Sequence, residues 1–270
     1  MNETIIRLDG FGFSFGEEPV LAGISFRLNR GESLHIIGPN GTGKSTLLRC
    51  ILNLHEHGKS SGEIWIKERP ASSYKQRELA GIISYVPQAG GWVPPFTVEE
   101  FLRLSRSPRQ GGGFAPARSR EDDSAVSRAL RLAGLENLAG RSLRTLSGGE
   151  RQRAYVAAAL AQEAEVMLLD EPASFLDPKN AHDLNRVMAS LNQQEHQSQA
   201  MTFLTVTHDL NTAFNAPAKH SKVLVLSQGR QVYFGETGGL LDGNILRQAF
   251  SHDFTIFKHP RTGLPAVLGD

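Results

Sequence analysis

Gly38-Pro39-Asn40-Gly41-Thr42-Gly43-Lys44-Ser45 is the stretch that decides the fold. Its spacing is that of G-x-x-x-x-G-K-[ST], a loop whose backbone curls so that successive N–H groups point at phosphate oxygens. It stands where such a loop works, after the apolar run Leu34-His35-Ile36-Ile37 and before a pattern in which Leu47, Ile51 and Leu54 recur at helical spacing. Gly38, Gly41 and Gly43 permit the curl, and the helix N-terminus adds partial positive charge. Lys44 is placed to reach β- and γ-phosphates and Ser45 to ligate magnesium, with Asn40 and Thr46 counted among the phosphate-binding residues.

Working outward, short apolar runs at 82–86, 166–169, 203–206 and 223–226 alternate with helical patterns. Alternation of that kind predicts an α/β fold with a buried, mostly parallel sheet covered by helices. Ile5 to Leu28 instead alternates apolar and polar residues around a Gly-Glu-Glu-Pro turn at 16–19, which predicts antiparallel strands at a sheet edge. From Gln88 to Gly148 strand signals vanish and helical patterns at 98–104 and 124–132 flank a loose segment, 106–120, carrying several arginines and read as a solvated linker, with a partner-binding role as the alternative. Residues near 260–263 predict a turn in a terminal hairpin. The whole, 1–270, reads as one domain: a β-subdomain that includes 1–30, a nucleotide-binding core at 31–88 and 160–250, a helical insert at 89–159, and a tail at 251–270.

Bulk properties narrow the function. With 29 basic and 28 acidic residues the net charge is +1, so no global pull toward nucleic acid exists. The single cysteine, Cys50, allows no internal disulfide and reads as a small core residue in a reducing compartment. The first residues lack the basic-then-apolar pattern of a secretory signal, and no run approaches the roughly 20 apolar residues that cross a bilayer. A cytoplasmic chain, reaching any membrane through partners, is the expectation.

Two further patterns carry chemistry. Val166-Met167-Leu168-Leu169 ends in Asp170-Glu171, placing Asp170 to support magnesium and Glu171 to polarise an attacking water. Leu146-Ser147-Gly148-Gly149-Glu150 opens a helix, and Ser147 with Glu150 forms the S-x-x-E capping box. Capping accounts for the serine and the glutamate. It does not account for Gly148 and Gly149, whose lack of side chains allows close approach of a ligand, so an anion site is the added expectation.

Taken with Gln88 after one strand and His208 after another, these motifs resemble the ATP-binding-cassette (ABC) ATPases over nearly the whole chain. The resemblance implies a P-loop NTPase core of the RecA-like kind, with ATP and Mg2+ as ligands. It also implies that Phe15 stacks on adenine, Gln88 touches magnesium and a transmembrane partner, Asp177 lies in a loop communicating between two sites, and His208 contacts the γ-phosphate. Metal ligation then falls to Ser45, Gln88 and Asp170, and catalysis to Lys44, Glu171 and His208. Two nucleotide domains of such ATPases dimerise head to tail, Ser147, Gly148 and Gly149 of one closing over ATP held by the other. Glu150 stands where many members have glutamine, and Phe175 where a small residue is common.

Pro87-Gln88, Pro94-Pro95-Phe96-Thr97-Val98-Glu99-Glu100, the form LSGGERQR and the segment 235–250 are similar to ATPases of bacterial importers for metal ions and metal chelates, iron-siderophore or haem compounds first. The resemblance therefore implies a second ATPase subunit, two transmembrane permease subunits on the inner face of the membrane and, indirectly, a solute-binding protein, with no nucleic acid. A soluble ABC ATPase of an assembly machine and an exporter subunit are the alternatives.

Overall fold

The computed structural model describes residues 3–55, 57–88, 90–109, 119–174, 176–177, 179–181, 183–184, 187, 201–214, 221–260 and 265–269. The chain begins with strands β1 (Thr4–Phe15), β2 (Glu18–Asn29) and β3 (Ser33–Ile37), helix α1 (Lys44–Ile51), and strands β4 (Lys59–Ile66) and β5 (Arg69–Pro70). Helix α2 (Gln76–Ile82), strand β6 (Ile83–Val86), helices α3 (Val98–Ser105), α4 (Arg120–Ala133) and α5 (Gly148–Ala161), and strand β7 (Val166–Asp170) follow. The remainder is strand β8 (Thr202–Val206), helix α6 (Leu210–Phe214), strands β9 (Ser221–Ser227) and β10 (Arg230–Glu236), helix α7 (Asn244–Phe250), and strands β11 (Phe254–Lys258) and β12 (Pro265–Gly269). Contacts divide the chain into two compact units, Met1–Tyr74 with Thr202–Asp270, and Lys75–Met201.

In the first unit the strands lie in the order β5-β4-β1-β2-β10-β9-β3-β8. The sheet is mixed. Parallel pairing joins β3 to β8 and β9, whereas β1 pairs antiparallel with β2 and β4, and β9 with β10. Burial follows from the residues: β8 is buried at every position and β3 at all but its first, as strands covered on both faces must be, while β2 alternates between core and solvent. Helix α1 lays Leu47, Leu48 and Ile51 against the core, each fully buried and each contributing roughly 1.5–3 kcal/mol relative to exposure. Cys50 sits among them at 2 % exposure, and burial pushes its thiol up to about 12, so it behaves as the core residue it was read to be. Strands β11 and β12 form the terminal hairpin; residues 261–264, where its turn is expected, fall outside the described residues.

The second unit pairs β6 with β7 in parallel, Ile83 beside Val166 through Val86 beside Leu169. Helix α3 starts at a capping box in which Thr97 N–H donates to Glu100 Oε2 (2.8 Å) and Glu100 N–H to Thr97 Oγ1 (3.2 Å). Helix α4 starts at Ser119, whose Oγ accepts from Asp122 N–H (3.0 Å), and ends at Gly134 in the left-handed conformation (φ 63).

One expectation is corrected here. The segment 106–120 is not uniformly a solvated linker: Arg106 is 4 % exposed and donates to Asp122 Oδ1 (2.7 Å), Ala161 O (2.8 Å) and Glu163 Oε2 (2.6 Å), tying the ends of α3 and α5 to the start of α4. Arg109 donates to the carbonyls of Gln162 and Glu163. Burial pushes the Glu163 carboxyl up, but hydrogen bonds and charge from Arg106 and Arg128 together outweigh it and hold the group below its ordinary value. An arginine adjoining a Gly-rich stretch looks solvated in sequence because its carboxylate partners lie far along the chain. Residues 110–118 of that segment are outside the described residues. Among the described residues no helix is long and apolar enough to cross a membrane.

Candidate functional site

In the first unit the loop from Gly38 joins the carboxyl end of β3 to α1. Its glycines are forced by the backbone and by neighbours. Gly43 caps α1 at φ 89, and a Cβ there would lie 2.7 Å from Leu21 Cδ2; Gly38, at φ 155, would put one 2.2 Å from Leu226 O. Thr42 Oγ1 donates to Pro39 O (2.9 Å), holding the curl. Lys44 is 6 % exposed, and its Nζ donates to Gly38 O and Pro39 O, each at 2.8 Å, so the ammonium is kept at the loop. Helix α1 has no side-chain cap and no acidic residue in its first turn. Its N-terminal N–H groups and Lys44 together suit an anion.

His208 follows β8, the parallel neighbour of β3, so both segments leave the same end of the sheet, where α/β proteins bind ligands. Thr207 N–H donates to Ile36 O (3.1 Å), tying the start of that segment to the strand that leads into the phosphate loop. His208 is exposed. Phe15, at the end of β1, is 50 % exposed and meets Phe13 edge to face at 5.0 Å, which leaves a ring face to stack on a base.

The second unit holds the carboxylates. Asp170 ends the fully buried β7, is 4 % exposed and accepts from Tyr85 Oη at 3.4 Å. Glu171 adopts φ 45, a left-handed conformation uncommon for a non-glycine residue and costing on the order of 1 kcal/mol. Its Oε2 accepts from Gln88 Nε2 (3.1 Å) and Ser174 Oγ (2.7 Å). Gln88 comes just after β6, the parallel neighbour of β7, so topology brings these two sequence-predicted residues together. Ser174 was not foreseen. The carboxylate, amide and hydroxyl oxygens of Asp170, Gln88 and Ser45 are the hard donors that Mg2+ takes.

At α5 the capping box closes as read: Ser147 N–H donates to Glu150 Oε2 (2.8 Å) and Glu150 N–H to Ser147 Oγ (3.3 Å), and the backbone hydrogen bond from Ser147 lowers the Glu150 carboxyl below its ordinary value. The two glycines differ. A Cβ on Gly148 would meet nothing within 4 Å, whereas one on Gly149 would lie 2.2 Å from Asn180 Cγ. Gly149 therefore has an internal reason, beyond the ligand approach inferred from sequence: the Asn180 side chain fills the space. Asn180 in turn donates to Asp177 from its backbone N–H (3.0 Å to Oδ1) and from Nδ2 (2.5 Å to Oδ2), and accepts from Arg153 Nη1 (3.1 Å). Those bonds, the backbone N–H of Asn180 first, hold the Asp177 carboxyl below its ordinary value. Sequence reading missed Asn180, although the Asp-x-x-Asn spacing of a helix start was there to suggest it. Phe175 lies outside the described residues.

A family model for ABC transporters matches residues 21–174. Over 270 residues the chain is 33 % identical to the ferric enterobactin transport ATP-binding protein FepC of Escherichia coli (strain K12), covering 99 % of this chain and 96 % of that protein. Among solved structures, an inward-facing ABC transporter assigned to the metal-chelate type matches with TM-score 0.81 and 27 % identity over 99 % of this chain and 98 % of that one. A dimeric ATP-binding cassette in a post-hydrolysis state with ADP and Pi matches with TM-score 0.71 and 27 % identity, over 86 % of this chain and 99 % of that one. With the phosphate loop, the Asp-Glu strand end and the capped LSGGE helix in place, the chain belongs to the ABC transporter family and is one of its ATPases.

Proposed function

We propose that this chain is the ATP-hydrolysing subunit of an importer for a metal chelate, a ferric siderophore first, working as a head-to-tail pair beneath two permease subunits. Full-length similarity to a ferric enterobactin transport ATP-binding protein supports the substrate class, and the assignment of the matching transporter to the metal-chelate type agrees with it. Within this reading residues 31–88 and 160–250 supply the nucleotide-binding core, 1–30 part of the antiparallel edge, 89–159 the helical insert and 251–270 the tail. The chain reaches the inner face of the membrane through the permease. Trp92, 77 % exposed, and Phe96, 36 % exposed, follow Gln88 closely and offer apolar anchors for it.

The observation that carries the catalytic reading is the strained, doubly hydrogen-bonded Glu171 beside the buried Asp170. Phe15 stacks the base, and the N–H groups from Gly38 to Thr46, including those at Asn40, Gly41 and Gly43, cradle the phosphates with Lys44. Ser45, Asp170 and Gln88 would hold Mg2+, which would supply neutralisation of phosphate charge when bound. Glu171 accepts the proton of the attacking water, and Gln88 and Ser174 fix the carboxylate for that task. His208 holds the γ-phosphate. Ser147, Gly148 and Gly149 of the second subunit close over the same phosphate, with Asp177 linking the two sites. Ser147 Oγ already accepts from Glu150 N–H, which leaves its hydroxyl proton to donate to an oxygen of that phosphate.

Glu171→Gln tests the assignment. It keeps the size and the contacts with Ser174 while removing the base, so turnover falls by about 10²–10⁴-fold with ATP retained in a stable dimer. Unchanged turnover would remove Glu171 from the chemistry. Uptake of radiolabelled ferric chelate into cells lacking this chain tests the substrate class: restoration by the wild-type chain and not by Glu171→Gln is the expected result.

A further inference from the structure

The C-terminal hairpin lies outside the stretch matched by the family model, yet it is built onto the segment that carries His208. Val267 of β12 is 6 % exposed and shares a buried cluster with Leu210, Ala213 and Phe214 of α6 and with Ile37, the residue just before the phosphate loop. Polar contacts accompany this packing. The Asn211 side chain clasps the backbone of Val267 with both ends of its amide: Val267 N–H donates to Oδ1 (2.9 Å), and Nδ2 donates to Val267 O (3.2 Å). The amide thus satisfies a strand residue much as a neighbouring strand would.

From Asn211 the chain of contacts runs back to His208. Asn211 N–H donates to Asp209 Oδ1 (2.9 Å), and Thr212 Oγ1 to Asp209 Oδ2 (3.0 Å). Asp209 N–H donates to Thr207 Oγ1 (3.0 Å), and Thr207 N–H to Ile36 O (3.1 Å). His208 is therefore an exposed residue, beside Asp209, of a short arch whose one foot stands on β3 and whose other foot, through Asn211, stands on the terminal hairpin.

We propose that Asn211 is a positioning residue for ATP hydrolysis and that the β11–β12 hairpin, through it, sets the place of His208 at the γ-phosphate. The proposal rests on the assignment of His208 given above. A rigid arch keeps the imidazole in reach during each turnover; an arch with one free foot lets it wander, and misplacement of a phosphate-contacting group by about 1 Å is enough to cost turnover heavily.

The test is steady-state ATP hydrolysis by the full chain at saturating Mg2+, with kcat and KM for ATP determined separately. Asn211→Leu keeps a part-buried side chain of similar size and loses both contacts, and Val267→Pro removes from the hairpin side the N–H that Asn211 accepts. Both are expected to lower kcat about tenfold, with KM within about twofold of wild type. Asn211→Asp keeps the acceptor for Val267 N–H, loses the donor and falls between Asn211→Leu and wild type. In chain labelled with 13C-histidine, the His208 ring resonance, identified by its absence in His208→Gln, shifts or broadens in Asn211→Leu. Should Asn211→Leu fail to fold, Asn211→Asp and Val267→Pro decide by the same criteria. A kcat within twofold of wild type in folded variants, while His208→Ala is inactive, overturns the proposal, as does a loss confined to KM. Full activity of His208→Ala overturns instead the assignment on which the proposal rests.

Discussion

Helices α1 and α5 both start at glycine-rich turns and both were read as anion sites, but the chain finishes one start and leaves the other open. Helix α5 is closed by its own residues, Ser147 and Glu150 exchanging two hydrogen bonds. Helix α1 begins at Gly43 with no side-chain cap and no acidic residue in its first turn, and Lys44 is folded back onto the loop carbonyls. A helix start capped by glycine forgoes only about a few tenths of a kcal/mol, and its free N–H groups remain open to a phosphate. A capped start stands alone and presents to a ligand only what capping leaves over: the Ser147 hydroxyl proton and the open face over Gly148. The contrast agrees with the proposed division, in which primary nucleotide affinity belongs to α1 and a closing role to α5.

Acid sharpens the contrast, with the largest expected effect. Close in sequence to each helix start is a buried side chain with no hydrogen-bond partner for its polar atoms among the described residues: His35 on β3, the strand before α1, and Gln152 within α5. Only histidine titrates. Burial lowers the His35 imidazole to about 4, below the roughly 6.5 of an unfolded chain. The unfolded chain therefore binds more protons between these values, so stability is lost as pH falls from about 6.5 to about 4, by roughly 3 kcal/mol in all. Denaturant titrations across that range should show a slope that flattens in His35→Leu and persists in Gln152→Leu. An unaltered slope in His35→Leu would place the acid sensitivity elsewhere.

Next in size is Gly149→Ala. Its Cβ must displace Asn180, and with it the hold on Asp177, so turnover is expected to fall about tenfold while nucleotide affinity at the α1 loop stays within about twofold. A fluorescent ATP analogue titrated alongside the hydrolysis assay separates the two quantities, and a fall in affinity equal to the fall in turnover would break the division of labour between the helices. Smallest is the stability effect of Gly148→Ala, whose Cβ meets open space: unfolding free energy should change by no more than about 0.5 kcal/mol, so any loss of turnover reports the second subunit's phosphate. A larger loss of stability would mean that Gly148, like Gly149, is needed by its own chain.

Much of this was legible in the sequence because the relevant physics is local. Apolar runs announced β3, β7 and β8, the phosphate-loop pattern announced α1, and S-x-x-E announced the start of α5. Strands β4 and β10 were not legible: β4 opens with five exposed residues and β10 has no fully buried position, so pairing with neighbours rather than an apolar period makes them strands. Arg106 looked solvated because Asp122 and Glu163, which bury it, are remote in sequence. The same holds for Asn180 against Gly149 and for Asn211 against Val267: a side-chain amide gives no periodic signal, and its partner is set by topology.

In the proposed head-to-tail pair each ATP lies between the α1 loop of one chain and the α5 start of another. Mixing two inactive variants tests it most directly. Lys44→Ala spoils the loop and keeps Ser147, whereas Ser147→Arg keeps the loop and blocks the closing face. In a mixed dimer one site then combines both defects and the other has neither. Two preparations inactive alone should regain turnover when mixed, up to about a quarter of the wild-type rate at equal amounts and random pairing. Absence of turnover at every mixing ratio, with mixed dimers demonstrated by differential tagging, would contradict it.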